Sequence, residues 1–338
     1  VKRWSVPRLL LTCLLSALIW AAAALLCACV GSDGRFGWPS DPQIRTLRLE
    51  PVGVASLVGA ALAAAGVVYQ AILRNPLADP YLLGVSSGAT LFGYIWGFQF
   101  ANSLFGSTLV ALGQQAFSFA GALLAVGVVL VLSSRRGRMR PVTLLLVGVI
   151  VNAIAGSLFL LIDSLRPERL AGTSSAMAFL VGGIQTNLSS AQRWSAFGCA
   201  TVGWILLYYL AGQLNAASVS ESEAEALGLR IHRLRWIALG IASIVTASAV
   251  AISGPIGFVG LICPHLGRLI VGRDQRRLLP LATALGASLL ALADAASRYF
   301  ASTGKTLLPV GVLTSLLGGP FFLFLLWYDG GKGEDHAA

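Results

Sequence analysis

Residues 254–272 read GPIGFVGLICPHLGRLIVG and run directly into the basic stretch Arg273-Asp274-Gln275-Arg276-Arg277. Apolar segments long enough to sit in lipid flank them on both sides, yet Pro255, Gly257, Gly260 and Pro264 break the stretch itself. Backbone groups freed in this way are tolerated at membrane depth only where other protein segments or a water-filled cavity satisfy them. The stretch therefore predicts a broken helix inside a bundle of spans. A broken helix in turn suggests a pathway.

The rest of the chain agrees with that reading. Of 338 residues, 56% are hydrophobic and 11% charged, less than half of the roughly 25% charged usage of a soluble domain. Apolar runs of about 17–25 residues fall near 9–30, 52–73, 82–100, 115–134, 141–162, 194–212, 236–253, 256–271, 278–300 and 307–328, predicting an all-α polytopic membrane protein of about ten transmembrane helices in a single domain. The run from Leu9 to Val30 exceeds the roughly 7–15 apolar residues of a signal peptide and reads as a retained first span. With the N-terminus inside, sixteen of the 24 Lys and Arg residues fall on cytoplasmic segments. That bias satisfies the positive-inside rule and puts both termini in the cytoplasm. The run GVASLVGAALAAAG, Gly53 to Gly66, allows close helix approach, and Trp20, Trp96, Trp194, Trp236, Trp327 and Tyr328 sit near span ends as interfacial anchors.

Several function classes are excluded by pattern. The net charge of +10 is spread over short loops rather than gathered in a basic, aromatic-rich module, which argues against nucleic acid. Cys13, Cys27, Cys29, Cys199 and Cys263 read as small buried hydrophobes, and His232, His265 and His336 lack metal-ligand spacing. Ser302-Thr303-Gly304-Lys305-Thr306 ends like a phosphate loop, but Tyr299 stands where its first glycine is needed. No catalytic pair lies within the spans, so the chain reads as no enzyme, with no cofactor or metal of its own. Asp294 is the one acidic residue well inside a predicted span, four residues before Arg298; the spacing suggests an ion pair. A proton-coupled secondary transporter using Asp294 is the rival reading, although a relay usually needs several such groups.

Residues 70–88 read QAILRNPLADPYLLGVSSG, a second junction broken by Pro76 and Pro80 on the predicted cytoplasmic side. Residues 215–235, NAASVSESEAEALGLRIHRLR, form a polar segment between spans six and seven. Glu221, Glu223 and Glu225 with Ala224, Ala226 and Leu227 suit a short amphipathic helix, capped by Ser218 or Ser220 and ended by Gly228.

RNPLADPYLLGVSSGA, GPIGFVGLICPHLGRLIVG, RDQRRLLP and the Leu292-Ala293-Asp294 triplet occur in this order and together resemble the FecCD-type permeases of bacterial ABC importers, which carry cobalamin, haem and ferric siderophores. The likeness covers about Arg45 to Trp327 and implies a permease for import of a bulky metal chelate across the bacterial inner membrane, working as a homodimer in the membrane lipid. Two ATP-binding cassette subunits, holding ATP and Mg, would bind inside and a periplasmic binding protein outside. It also implies an inverted repeat of spans two to five and seven to ten, only weakly visible here as one broken junction in each half. By the same resemblance, residues 213–235 are the cytoplasmic coupling loop, with Glu221, Glu223, Ala224, Leu227 and Gly228 docking into the ATPase. Arg45, Arg48 and Arg298 would meet acidic residues of the binding protein, although the family's second docking arginine is replaced in Leu47-Arg48-Leu49-Glu50-Pro51. Pro141 and Val142 fall at the inner gate, and Met177, Gly182 and Gly183 at the outer entrance.

Overall fold

A computed structural model describes residues 6–31, 36–96, 113–135, 138–139, 141–165, 182–185, 188–219, 228–302 and 308–334. Among these, ten α-helices follow one another: α1 (Val6–Cys29), α2 (Pro42–Leu73), α3 (Val85–Trp96), α4 (Gln114–Ser133), α5 (Pro141–Ser164), α6 (Ser190–Val219), α7 (Ile231–Ser253), α8 (Val259–Val271), α9 (Gln275–Ser302) and α10 (Val310–Glu334). A two-residue antiparallel ladder, Ser134–Arg135 against Arg138–Met139, turns α4 into α5. Each expected span has its helix. Seven of them, α1, α2, α4, α5, α6, α7 and α9, are long and apolar enough to cross a bilayer. At 13 residues, α8 reaches only ~20 Å at the ordinary helical rise, against ~30 Å of hydrocarbon. Its broken end therefore lies within the bundle.

The long helix α2 is the axis of the fold. Its most apolar window is 83% buried, whereas that of α1 is 11% buried, and α2 packs against α9, α7, α8 and α6. Glycines permit this closeness: a Cβ on Gly59 would lie 2.1 Å from the carbonyl oxygen of Gly286 in α9, and one on Gly66 would lie 1.9 Å from that of Gly260 in α8. Helix backbones touch there without side chains between them. Inside this core Tyr69 Oη and Ser243 Oγ share a hydrogen bond of 2.8 Å between α2 and α7. Tyr94 Oη on α3 donates to Asp163 on α5 at 2.5 Å. The outward faces of α1, α5 and α6 carry exposed Leu, Ile, Val and Trp side chains, as surfaces that meet lipid or another apolar partner do.

Two helices run past the bounds that hydropathy suggests. The first turn of α2 begins at Pro42, not near 52, because Asp41 caps it by accepting from Gln43 N at 2.8 Å and Pro42 suits the first helical position. Arg45, Arg48 and Glu50 hide this turn from a hydropathy scan. Similarly α6 continues to Val219, well into the segment read as the coupling loop, and α7 starts at Ile231.

Candidate functional site

The two broken junctions meet. After α2 the chain takes a left-handed turn at Arg74 (φ 48°). Asn75 Oδ1 then accepts from Leu77 N at 2.9 Å, and Asp79 caps a 3-10 turn over Pro80–Leu83. Asp79 uses one carboxylate oxygen for that cap, accepting from Tyr81 N at 3.1 Å, and the other to accept from Phe258 N at 3.2 Å. Phe258, left-handed at φ 69°, stands in the break between α7 and α8. One carboxylate thus ties the first half of the chain to the second.

Other free backbone groups at the break are met by side chains and loops from elsewhere in the chain. Gly260 O in a continuous helix would accept from the N–H four residues on, but that residue is Pro264, which has none. Gln70 Nε2, from α2, donates to Gly260 O at 3.2 Å and is 3.4 Å from Leu261 O. Gly183 N donates to Ser253 O at 2.8 Å, and Gly311 N at the start of α10 donates to Gly182 O at 3.3 Å. Gly182 is left-handed (φ 70°) and lies so near Pro255 that a Cβ would be 2.1 Å from its carbonyl oxygen. Protein segments, rather than a water-filled cavity, supply these partners. Gly182 and Gly183, expected at an entrance, are thereby placed against the α7–α8 break. Replacing Gln70 by Leu leaves Gly260 O buried without a donor, a cost of about 1–3 kcal/mol. A lowered thermal unfolding temperature in detergent is the expected result, and an unchanged one would remove this role.

A second cluster holds the end of α6. Asn215 Nδ2 donates to Asp274 Oδ1 at 2.7 Å, and Asn215 Oδ1 accepts from Gln275 N at 2.7 Å. Asp274 also caps α9, accepting from Arg276 N at 3.1 Å. Arg74 Nη2 donates to Ala217 O at 2.7 Å, where the last carbonyls of a helix lack intrahelical partners and a cation suits the dipole. The chain that enters the predicted coupling segment is thus fixed to the α2–α3 junction and to the α8–α9 loop. Glu221, Glu223, Ala224 and Leu227 lie outside the described residues, as does Met177. Gly228 is described: it is exposed, left-handed at φ 81°, and stands just before α7.

At the opposite end of the bundle, the three expected docking arginines differ. Arg48 Nη1 donates to Gly37 O at 2.9 Å and lies 3.4 Å from Cys29 O. Arg298 pairs with Asp294 at 3.0 Å, with the two side chains 12% and 8% exposed, and its Nη1 is 3.4 Å from Val30 O. Both guanidinium groups therefore reach the C-terminal end of α1, a position where cations stabilise the helix. Arg45 is exposed, its guanidinium 5.8 Å from the centre of the Trp38 ring. At the gate position, Pro141 opens α5 and Val142 is 78% exposed. It begins an outward stripe continued by Leu146, Val149, Ile150 and Ile154. Among the described residues, no group of three or more His, Cys, Asp or Glu side chains is placed to hold a metal ion.

Gln70, Arg74, Asp79, Asn215 and Asp274 were not singled out by the sequence reading. Pro264 implies that some donor must reach Gly260 O, but spacing does not say which.

Comparison with known proteins gives three findings. A model of the FecCD transport family matches residues 9–328. The cobalamin import system permease protein BtuC of Halobacterium salinarum is 39% identical over 300 residues, 86% of this chain and 76% of that protein; the hemin transport system permease protein HmuU of Yersinia pestis is 37% identical over 285 residues, 83% and 81%. A solved structure described as an inward-facing conformation of a metal-chelate type ABC transporter aligns with a TM-score of 0.78 at 29% identity, covering 96% of this chain and 99% of that one.

Proposed function

The chain belongs to the FecCD transport family, and from that premise we propose that it imports a bulky metal chelate of the macrocyclic kind, a corrinoid or a haem, as a homodimer. Like its relatives, it is a membrane permease subunit of an ABC importer, and ATP hydrolysis belongs to a separate ATPase. The match over residues 9–328 carries the class. The cargo rests on the relatives named for cobalamin and hemin, two metal-bearing tetrapyrroles.

In this reading the chain lies in the inner membrane with both termini in the cytoplasm. ATP and Mg bind the partner ATPase, and the segment ending at Gly228 docks on it. The exposed stripe from Val142 to Ile154 would face the second copy. A path lined by Val142 then lies between two chains rather than inside one. A binding protein approaches the end that carries Arg45, whose guanidinium is exposed for a carboxylate; Arg48 and Arg298 support that face by holding α1.

The rival carrier mechanism would work through Asp294, but its carboxylate is held by Arg298 within one turn of α9. Reconstitution into vesicles with a cognate ATPase and binding protein tests the proposal. Cyanocobalamin or hemin uptake should require ATP and fall to background without it. Uptake that persists without nucleotide supports the rival, and ATP-dependent uptake of neither compound removes the macrocycle assignment.

A further inference from the structure

A cavity of about 830 Å³ opens between α1, α2, α6, α7 and α9, away from the broken junctions. Its size falls in the ~300–1,000 Å³ range of small-ligand sites. Its walls are apolar along most of their length, and both indole N–H groups in them are paired: Trp20 Nε1 donates to Ser56 Oγ at 3.1 Å, and Trp204 Nε1 donates to Thr283 Oγ1 at 2.9 Å. Water needs several polar partners at once, and along most of this lining they are few. Its walls on α1 and α6 are continuous with exposed apolar side chains, including Phe197 and Leu18. From Arg193 to Trp204 the wall on α6 extends ~16 Å at the helical rise, about half the ~30 Å hydrocarbon thickness. One leaflet has that depth. An unfilled slot would forfeit dispersion contacts along its whole lining, so an apolar chain belongs there.

The polar end of the slot identifies the occupant. Arg193 Nη1 is paired with Glu50 Oε1, each side chain about a third exposed. Glu50 Oε2 takes no partner among the described residues. A mouth carrying one cation and one anion matches a headgroup that carries both, a phosphate for the guanidinium and an N–H-bearing ammonium for the carboxylate. We infer that the cavity seats an acyl chain of phosphatidylethanolamine, with its phosphate at Arg193 and its ammonium at Glu50. An anionic glycerol headgroup could still place its phosphate at Arg193, but it brings no ammonium to Glu50 Oε2.

Vesicles of equal phosphatidylethanolamine and phosphatidylglycerol provide the test, with the full chain extracted in mild detergent and weighed by native mass spectrometry. One phosphatidylethanolamine should be retained over phosphatidylglycerol by about tenfold, and Glu50→Gln should erase that preference while a phospholipid stays bound. A Cβ on Gly53, in the cavity wall, meets nothing within 4 Å. Gly53→Leu should therefore fold, obstruct the slot beside its Glu50 end and lower retention of phosphatidylethanolamine. Equal retention of the two lipids by the native chain overturns the assignment, as does a Gly53→Leu chain whose retention of phosphatidylethanolamine is undiminished. Should Gly53→Leu fail to fold, Glu50→Gln decides alone: an undiminished preference in it rejects the site.

Discussion

Replacing Gly228 with Val should leave a folded permease whose transport is cut roughly 5- to 30-fold. Gly228 sits at φ 81° in the last turn before α7, where an L-residue is disfavoured by about 1–2 kcal/mol and a β-branched one is a genuine outlier. No neighbour crowds the position, since a Cβ there meets nothing within 4 Å. The penalty is therefore one of backbone conformation, and it falls on the residue that closes the proposed docking segment. A shift of 1–2 kcal/mol away from the docked geometry changes its population roughly 5- to 30-fold. Transport should fall by that factor, and binding-protein stimulation of ATP hydrolysis with it, while the unfolding temperature stays within the range of the native chain. Asn tolerates the left-handed region better than Val, so Gly228→Asn should keep most of the activity. Wild-type uptake by Gly228→Val would detach this residue from coupling.

How such a docking event reaches the core is set by the contacts behind Gly228. The chain leaving α6 is held at Ala217 by Arg74, the first residue beyond α2, and at Asn215 by Asp274, the cap of α9. Five residues past Arg74, Asp79 holds Phe258 in the break between α7 and α8. Displacement at the docking segment thus acts on both broken junctions through side chains a few residues apart. None of these groups needs to titrate or bind cargo. Each holds one backbone position relative to another.

The number of helices was legible because lipid-crossing runs are long and leave little room for polar residues, as in Val6–Cys29 and Gln114–Ser133. The break at 254–258 was legible for the complementary reason, since Pro and Gly there have no role in an uninterrupted span. The partners of the break were not. Gln70 and Asp79 are separated from Gly260 and Phe258 by 190 and 179 residues of sequence, and no periodicity within either segment encodes that distance. Hydropathy also misplaced the first turn of α2, where Asp41 and Pro42 act through local capping while Arg45, Arg48 and Glu50 lower the apolar average. The arginines at the far end illustrate a third limit: Arg298 and Arg45 look alike in the sequence, yet one is held by Asp294 and the other is exposed.

The packing face of α2 shows both sides of that limit and carries the largest effect on stability. Gly59 and Gly66 are seven residues apart, hence on one face of a helix, and small residues there announce a close neighbour without naming it. The neighbours are Gly286 and Gly260. With Gly66→Ala the new methyl would stand 1.9 Å from Gly260 O, where an ordinary contact begins at 3.4 Å, so α2 and α8 must separate by about 1.5 Å locally. Gln70 lies one turn further along the same helix, and its 3.2 Å bond to Gly260 O does not survive a separation of that size. Overpacking of about 1–3 kcal/mol adds to about 1–3 kcal/mol for the carbonyl left without a donor, giving a loss of roughly 2–6 kcal/mol. Gly240→Ala on α7, where a Cβ meets nothing within 4 Å, is the matched control and should lose nothing, since Ala favours a helix over Gly. Denaturant unfolding in detergent, with uptake in vesicles alongside, measures both. Loss of uptake with native stability would mean that Gly66 serves movement rather than packing, and native stability with native uptake would deny that the α2–α8 contact is close at all.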